Sequence, residues 1–166
     1  TLPYPMMNIL NGGAHAGWIL DFQEFMIVPQ QKTILERVRC GAEVFHSLAS
    51  VLKKKGYSTL VGDEGGYAVP LARNEEALKT IMKAISVSGY VAGKDVKLAM
   101  DPATSEFYDT KTGLYDLKVD KKKLSTAKMI ALWESWAQKY PLISIEDGLA
   151  EDDWDNWQKL TNDLEP

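Results

Sequence analysis

Apolar residues recur at helical spacing in four stretches of the chain, and the first stretch has the clearest boundaries. Thr33 and Glu36 form a capping-box pattern at its start, and three lysines followed by Gly56 stand at its end. Cations in a last turn complement the helix dipole, and glycine favours a C-terminal stop. The pattern therefore predicts a helix from residue 34 to about residue 55.

Three further helices are predicted from the same spacing, over residues 74–88, over residues 125–140, and from residue 152 or 153 onward. Asn74 is the expected N-cap of the second helix. Tyr140 is expected to end the third helix because it precedes a proline, which disfavours the helical backbone. Acidic residues crowd the start of the fourth helix, where the helix dipole stabilises them.

Short apolar runs between the helices predict five strands, at residues 6–10, 22–28, 59–61, 96–100 and 142–145. Two additional runs, at residues 107–108 and 114–117, flank a five-residue loop and predict a β-hairpin. Strands that alternate with helices indicate an α/β fold. The length of 166 residues suits one domain that covers the whole chain, with no separate second domain.

Three of the predicted strands run into acidic residues at the point where each strand ends. Glu64 follows the strand at 59–61, Asp101 follows the strand at 96–100, and Glu146 follows the strand at 142–145. Successive parallel strands would place these acids side by side at one end of a sheet or barrel, which is where barrel enzymes hold their chemistry. Crowded carboxylates repel one another, and Mg²⁺ prefers such oxygen ligands. Asp101 and Glu146 are therefore candidate Mg²⁺ ligands.

Each of these acids also has a simpler interpretation, because Asp and Glu are common caps of the following helix or turn. For any single acid this alternative stays open, and the equivalent position of all three favours a site. Asp63 and Glu64 would face opposite sides if strand geometry continued through them. One of the two is then expected to carry a proton while the other is structural.

Two other segments contain candidate chemistry. Glu24 interrupts the apolar strand at 22–28, and a buried glutamate needs either a partner or a function because an unpaired buried charge is costly. His15 lies in a glycine-rich loop, which is either a mobile connection or a lid that contacts an anionic ligand. The loop matches no nucleotide-binding fingerprint, so its signal is weak alone.

Charge and composition narrow the class of protein further. The chain has 19 basic and 23 acidic residues and a net charge of −4, which argues against a nucleic-acid partner. A single cysteine cannot form an internal disulfide, so a reducing, cytoplasmic location is expected. No apolar run approaches the roughly 18 residues that a membrane span needs.

The chain resembles the enolase family through a series of motifs that occur in order, with family-like spacing, over essentially all of its length. The motifs are Met6 to His15, Phe22 to Ile27, Gly62 to Gly66, Met100 to Ala103, Ser105 to Tyr108, and Ser144 to Gly148. The resemblance implies an open, partial enolase-type TIM barrel of about five strands, corresponding to the first part of the family's C-terminal domain. It also implies a homo-oligomer, since enolases form dimers.

The activity implied by the resemblance is that of a lyase of glycolysis, the reversible Mg²⁺-dependent dehydration of 2-phosphoglycerate to phosphoenolpyruvate. Asp101 and Glu146 would bind Mg²⁺, and Glu64 would be the general acid that assists departure of the 3-hydroxyl. The remaining implied contacts are to the substrate. They are Glu24 at the hydroxyl end, together with His15 and Gln23, with His15 on a closing loop.

In the family, the third metal-binding acid, the lysine base and further substrate-binding residues lie downstream of these motifs. The resemblance therefore implies an incomplete fragment, and we expect no significant dehydration of 2-phosphoglycerate by these 166 residues alone. Two alternatives are a non-catalytic fragment that oligomerises through open barrel edges and another enzyme of the superfamily. The latter is disfavoured because many such enzymes have a lysine motif where this chain has Phe22 to Phe25.

Overall fold

A computed structural model describes residues 3–164 of the chain. Its helices are α1 (Ile34–Lys54), α2 (Glu75–Val87), α3 (Thr126–Lys139) and α4 (Trp154–Leu164). Its strands are β1 (Met7–Asn11), β2 (Glu24–Pro29), β3 (Tyr67–Ala68), β4 (Val96–Asp101), β5 (Tyr108–Asp109), β6 (Leu114–Leu117), β7 (Lys122–Ser125) and β8 (Leu142–Ile145).

The four predicted helices are confirmed, and local signals account for their ends. The Thr33 hydroxyl accepts the Glu36 backbone N–H at 3.2 Å, and the Glu36 carboxylate accepts the Thr33 N–H at 3.2 Å, so the capping box is complete. Asn74 occupies the N-cap position of α2, as expected, but its side chain makes no capping hydrogen bond. Its side chain instead pairs with Asp21, accepting the Asp21 N–H at 2.9 Å and donating to the carboxylate at 2.7 Å.

Five strands form an open sheet in the order β3-β1-β2-β4-β8. The pairs β4–β8 and β1–β3 are parallel, whereas β2 runs antiparallel to both of its neighbours, β1 and β4. Together with the helices, the sheet confirms the α/β fold. Within residues 3–164 the sheet does not close on itself, as expected for a partial barrel.

The strand expected at residues 59–61 is wrong. Val61 makes an isolated bridge to Tyr67, and the side chains of Leu60 and Val61 are 75% and 54% exposed. The strand of this region, β3, lies after Glu64 instead of before it. An apolar run predicts a buried strand only if another element covers it, and no described element covers this run.

The expectation that all the acid-bearing strands run parallel and adjacent is also wrong. It holds for β4 and β8, but β3 lies at the opposite edge of the sheet, with β1 and β2 between it and β4. Glu64 therefore does not follow a strand that neighbours β4, and strand order alone does not bring it beside Asp101 and Glu146.

The two faces of the sheet have different residues and different surroundings, because side chains alternate along each strand. Phe25, Ile27, Leu98 and Met100 point to the helix-covered face and belong to the main core. The opposite face has a small buried cluster of Met26, Val28 and Ala99. Residues on this second face lead along β2 and β4 toward Glu24 and Asp101.

The predicted hairpin is confirmed as β5 and β6, and β7 adds a third antiparallel strand to it. The strand β7 is not predicted from the sequence, because its first residues are exposed lysines, which lack the alternation of a half-buried strand. Lysines on an edge strand hinder pairing with other chains.

None of the helices between residues 3 and 164 combines the length and the apolar character that crossing a lipid bilayer requires.

A polar contact joins α2 to the end of α3. The Glu75 carboxylate forms ion pairs with Lys139 and, at 3.0 Å, with Lys79, and it accepts the Tyr140 hydroxyl at 2.8 Å. Burial alone would raise the pKa of Glu75, but the hydrogen bonds from Lys139, Tyr140 and Lys79 outweigh it and lower the pKa to about 2.

We predict that Glu75→Gln lowers the free energy of unfolding by about 1 kcal/mol at neutral pH, a screened value for a partly exposed pair. A lowered pKa stabilises the folded state above the unfolded pKa of Glu, and this contribution disappears as pH falls toward 2. Urea unfolding at about pH 7 and about pH 3 should show the difference shrinking. Glu76→Gln, which removes the same charge one residue later, is the control. An equal loss in both variants would contradict the contact-based explanation.

Candidate functional site

Three carboxylates lie at one end of three adjacent strands because of the strand register. Glu24 is paired with Asp101 across β2 and β4. Met100 is paired with Ile145 across β4 and β8, and the Glu146 N–H donates to the Met100 carbonyl at 2.9 Å. Glu146 therefore follows directly beside Asp101, at the same end of the sheet.

Glu64 reaches this end of the sheet on a turn that folds back over β1. The Gly62 N–H donates to the Gly66 carbonyl at 2.8 Å and closes the turn, in which Gly65 has a φ of +82° that glycine readily adopts. The side-chain amides of Asn11 and Asn8 donate to Oε2 of Glu64 at 3.0 and 3.3 Å. The turn thereby adds a fourth carboxylate to the group.

Burial and, after it, mutual repulsion disfavour the charged forms of these carboxylates. Burial, followed by the negative charges of Glu64 and Asp101, raises the pKa of Glu24 to about 7. Burial also raises the pKa of Asp101, opposed by a hydrogen bond from the Ala103 N–H. Burial and then the charge of Asp101 raise the pKa of Glu146. The site thus favours either a retained proton or a bound cation.

His15 lies within the glycine-rich loop that follows β1, and Gln23 directly precedes β2. His15 is in a short 3₁₀ turn, with its Nε2 3.6 Å from Oε1 of Glu64. The Gln23 carbonyl accepts the Gly12 N–H at 2.9 Å, which ties the loop to the start of β2. Asp63 is exposed, and its backbone N–H donates to the His15 carbonyl at 3.2 Å. Of the acidic pair at 63 and 64, Glu64 is the one whose carboxylate contacts the asparagines of β1 and His15.

Long-range hydrogen bonds hold the turn that follows Glu146. The Asp147 carbonyl accepts the Thr104 N–H at 3.1 Å and the Thr104 hydroxyl at 2.8 Å. The buried Trp133 indole donates to the Gly148 carbonyl at 2.7 Å. These contacts are not predicted from the sequence, because helical spacing indicates only that Trp133 lies in the core. No local pattern connects it with a turn on another element.

The chemistry of Asp101 and Glu146 fits a hard divalent cation. Both donors are carboxylate oxygens and they lie side by side. After burial, the charge of Asp101 raises the pKa of Glu146, and the charge of Asp147 raises the pKa of both. Among residues 3–164 no cluster of three or more His, Cys, Asp or Glu side chains is suited to hold a metal. Two carboxylates are nevertheless a usual protein contribution to Mg²⁺, with water or substrate completing the shell.

The fold and the site together define a partial α/β barrel with a carboxylate-lined end. A comparison with protein families matches the whole chain, residues 1–166, to the family described as "Enolase, C-terminal TIM barrel domain". The chain belongs to this family.

We predict that the raised pKa of Glu24 makes the folded state less stable as pH rises. The folded state holds more protons than the unfolded state between the ordinary pKa of Glu and about 7, so stability falls with rising pH in that window. Glu24→Gln should remove a decline of about 1–2 kcal/mol between about pH 5 and pH 8.

Urea unfolding at several pH values in a chelating buffer measures this effect. Glu106→Gln, at an exposed carboxylate, is the control and should keep the wild-type pH profile. An unchanged profile in the Glu24 variant would show that another group causes the decline.

Proposed function

We propose that this chain supplies the acid and metal-binding part of a lyase site, for the reversible Mg²⁺-dependent dehydration of 2-phosphoglycerate to phosphoenolpyruvate. The observation that carries the proposal is the assembly of Glu24, Glu64, Asp101 and Glu146 at one end of the sheet. The family membership of the whole chain supports the same reaction.

Dehydration of 2-phosphoglycerate removes a proton from C2 and the hydroxyl from C3. Hydroxide is a poor leaving group, so an acid must protonate the departing oxygen and release it as water. Glu64 is the proposed acid. Glu24, next to it and with a pKa of about 7, retains a proton near neutral pH and shares the hydroxyl end of the substrate.

The other proposed contacts are at the ends of the substrate. Asp101 and Glu146 would hold Mg²⁺, which when bound supplies positive charge to the substrate carboxylate and so makes the C2 proton more acidic. His15, beside Glu64, and Gln23, at the base of the same loop, would contact the substrate. The base that removes the C2 proton is not among the residues proposed here.

Three further proposals concern the domain, the location and the assembly of the protein. We propose that residues 1–166 form the first part of one barrel domain, and that the protein acts in glycolysis in the cytoplasm. We also propose that it works as a homo-oligomer without a nucleic-acid partner, in keeping with its net charge of −4.

We predict that the chain binds Mg²⁺ weakly, since two carboxylates contribute, and that 2-phosphoglycerate strengthens the binding. Asp101→Asn and Glu146→Gln should each weaken Mg²⁺ binding by about tenfold or more, because each removes a charged ligand. Isothermal titration with Mg²⁺ alone, and then with 2-phosphoglycerate present, measures both effects.

Asp147→Asn is the matched control for this titration. It removes one neighbouring negative charge, and Asn tolerates the positive φ of 42° at this position. It should weaken Mg²⁺ binding much less than the two ligand variants do. Equal losses in all three variants would mean that net charge, and not coordination, attracts the cation.

A second candidate function is a non-catalytic fragment that self-associates through its open sheet edge. The edge strand β8 favours this candidate because Ile143 is 50% exposed on it. A groove between β8 and α4 is lined by Leu142, Ile145, Trp157 and Leu160. Size-exclusion chromatography tests this candidate, because a folded monomer contradicts edge-driven association.

A further inference from the structure

We propose that Asn8 and Asn11 are positioning residues for Glu64. Their amide groups hold Oε2 of the Glu64 carboxyl as a hydrogen-bond acceptor and leave Oε1 as the oxygen that exchanges a proton with the substrate. The inference rests on the proposed function, which assigns Glu64 as the acid, and it specifies which atom acts and what holds it.

The orientation of the Asn11 amide follows from its backbone contact. Its side chain is fully buried, and Oδ1 accepts the Gly66 N–H at 2.8 Å. An N–H donor requires the oxygen, so the Nδ2 group of the same amide must point the other way. There it donates to Oε2 of Glu64 at 3.0 Å. A single buried amide thus anchors the turn and orients the carboxyl that the turn carries.

The fit around Asn11 is close on both sides of the turn. A Cβ atom at Gly66 would lie 2.5 Å from Oδ1 of Asn11, and one at Gly62 would lie 3.1 Å from its Cβ. Both glycines therefore allow the turn to approach the amide more closely than other residues would. Such packing holds the turn that carries Glu64 against the Asn11 amide.

A β-bulge brings the second amide to the same place. Asn8 and Asn11 are three residues apart, and regular alternation would put them on opposite faces of β1. The register between β1 and β2 shifts between Asn8 and Leu10, so that Asn8 is paired with Met26 and Asn11 with Glu24. Both asparagines thereby lie on the carboxylate-bearing face, and bulges beside sites commonly redirect side chains in this way.

The two oxygens of Glu64 consequently have different surroundings. Oε2 accepts from both amides, at 3.0 and 3.3 Å. Oε1 lies 3.6 Å from Nε2 of His15, on the loop side of the site. A proton on Oε2 would conflict with two N–H donors that already point at it, whereas Oε1 can carry one without such a conflict.

Asn11→Asp separates the two functions of the Asn11 amide. The aspartate keeps an oxygen for the Gly66 N–H but replaces the donor that faces Glu64 with a second acceptor. The Gly66 backbone N–H should therefore remain protected from hydrogen exchange, measured by NMR, in this variant. With both asparagines kept, the single substitution Glu64→Gln should shift the side-chain amide signals of Asn11 and Asn8.

The functional measurement compares two ligands in the presence of Mg²⁺: 2-phosphoglycerate, and 2-phospholactate, which lacks only the 3-hydroxyl. We expect the unaltered chain to prefer 2-phosphoglycerate, because the proposed function places Glu64 and Glu24 at that hydroxyl. Asn11→Asp should reduce the preference by about tenfold, the loss typical of one hydrogen bond to a charged group, without changing 2-phospholactate binding. Asn8→Ala, at the longer contact, should reduce it less and provides a milder variant.

Asn74→Asp is the matched control. Asn74 is likewise fully buried, accepts a backbone N–H and donates to a carboxylate, but its partner is Asp21. The variant should lower the free energy of unfolding about as much as Asn11→Asp does and leave the ligand preference unchanged. An unchanged preference in Asn11→Asp, or an equal loss in Asn74→Asp, would overturn the inference.

The same titrations separate this inference from the proposed function. If the unaltered chain shows no preference for the 3-hydroxyl, both the acid assignment of Glu64 and the function of the amides in it are wrong. If the preference is present and survives Asn11→Asp and Asn8→Ala, the proposed function stands and only the positioning inference fails.

Discussion

The antiparallel register between β2 and β4 is the constraint on which the site depends. Six consecutive residue pairs join these strands, and the last of them sets Glu24 opposite Asp101. A slip of one residue would turn Phe25 and Met100 toward the carboxylate-bearing face and the carboxylates toward the core. Because the apolar residues of the helix-covered face must stay buried, the core fixes the position of the acids.

The carboxylate-lined end works against folding, and the rest of the sheet compensates for it. Burial, followed by repulsion from Glu64 and Asp101, raises the pKa of Glu24, which means that the charged form is unfavourable there. The helix-covered face provides a continuous buried core that offsets this cost. Concentrated like charge that is stable only with a proton or a cation is typical of functional sites rather than of structural ion pairs.

Local signals allowed much of the fold to be predicted, and non-local contacts account for the errors. The helix α1 was predicted well because its capping box and its lysine-rich end lie within the helix itself. The strand at 59–61 was wrong because burial depends on a covering element that the local sequence does not reveal. Asp101 and Glu146 could be paired in advance because both follow strands that are in fact adjacent and parallel.

By itself, the sequence determined the helices, most of the strands, the buried residue types and the acids that were candidates for chemistry, since each depends on neighbours along the chain. Only the tertiary structure decided how Glu64 joins the other carboxylates, because the turn that carries it crosses over β1. It also decided that Asn8 and Asn11 share a face, since a bulge shifts the alternation between them. The hydrogen bonds from these asparagines to Glu64 join residues more than fifty positions apart, and contacts at that separation leave no periodic pattern in the sequence.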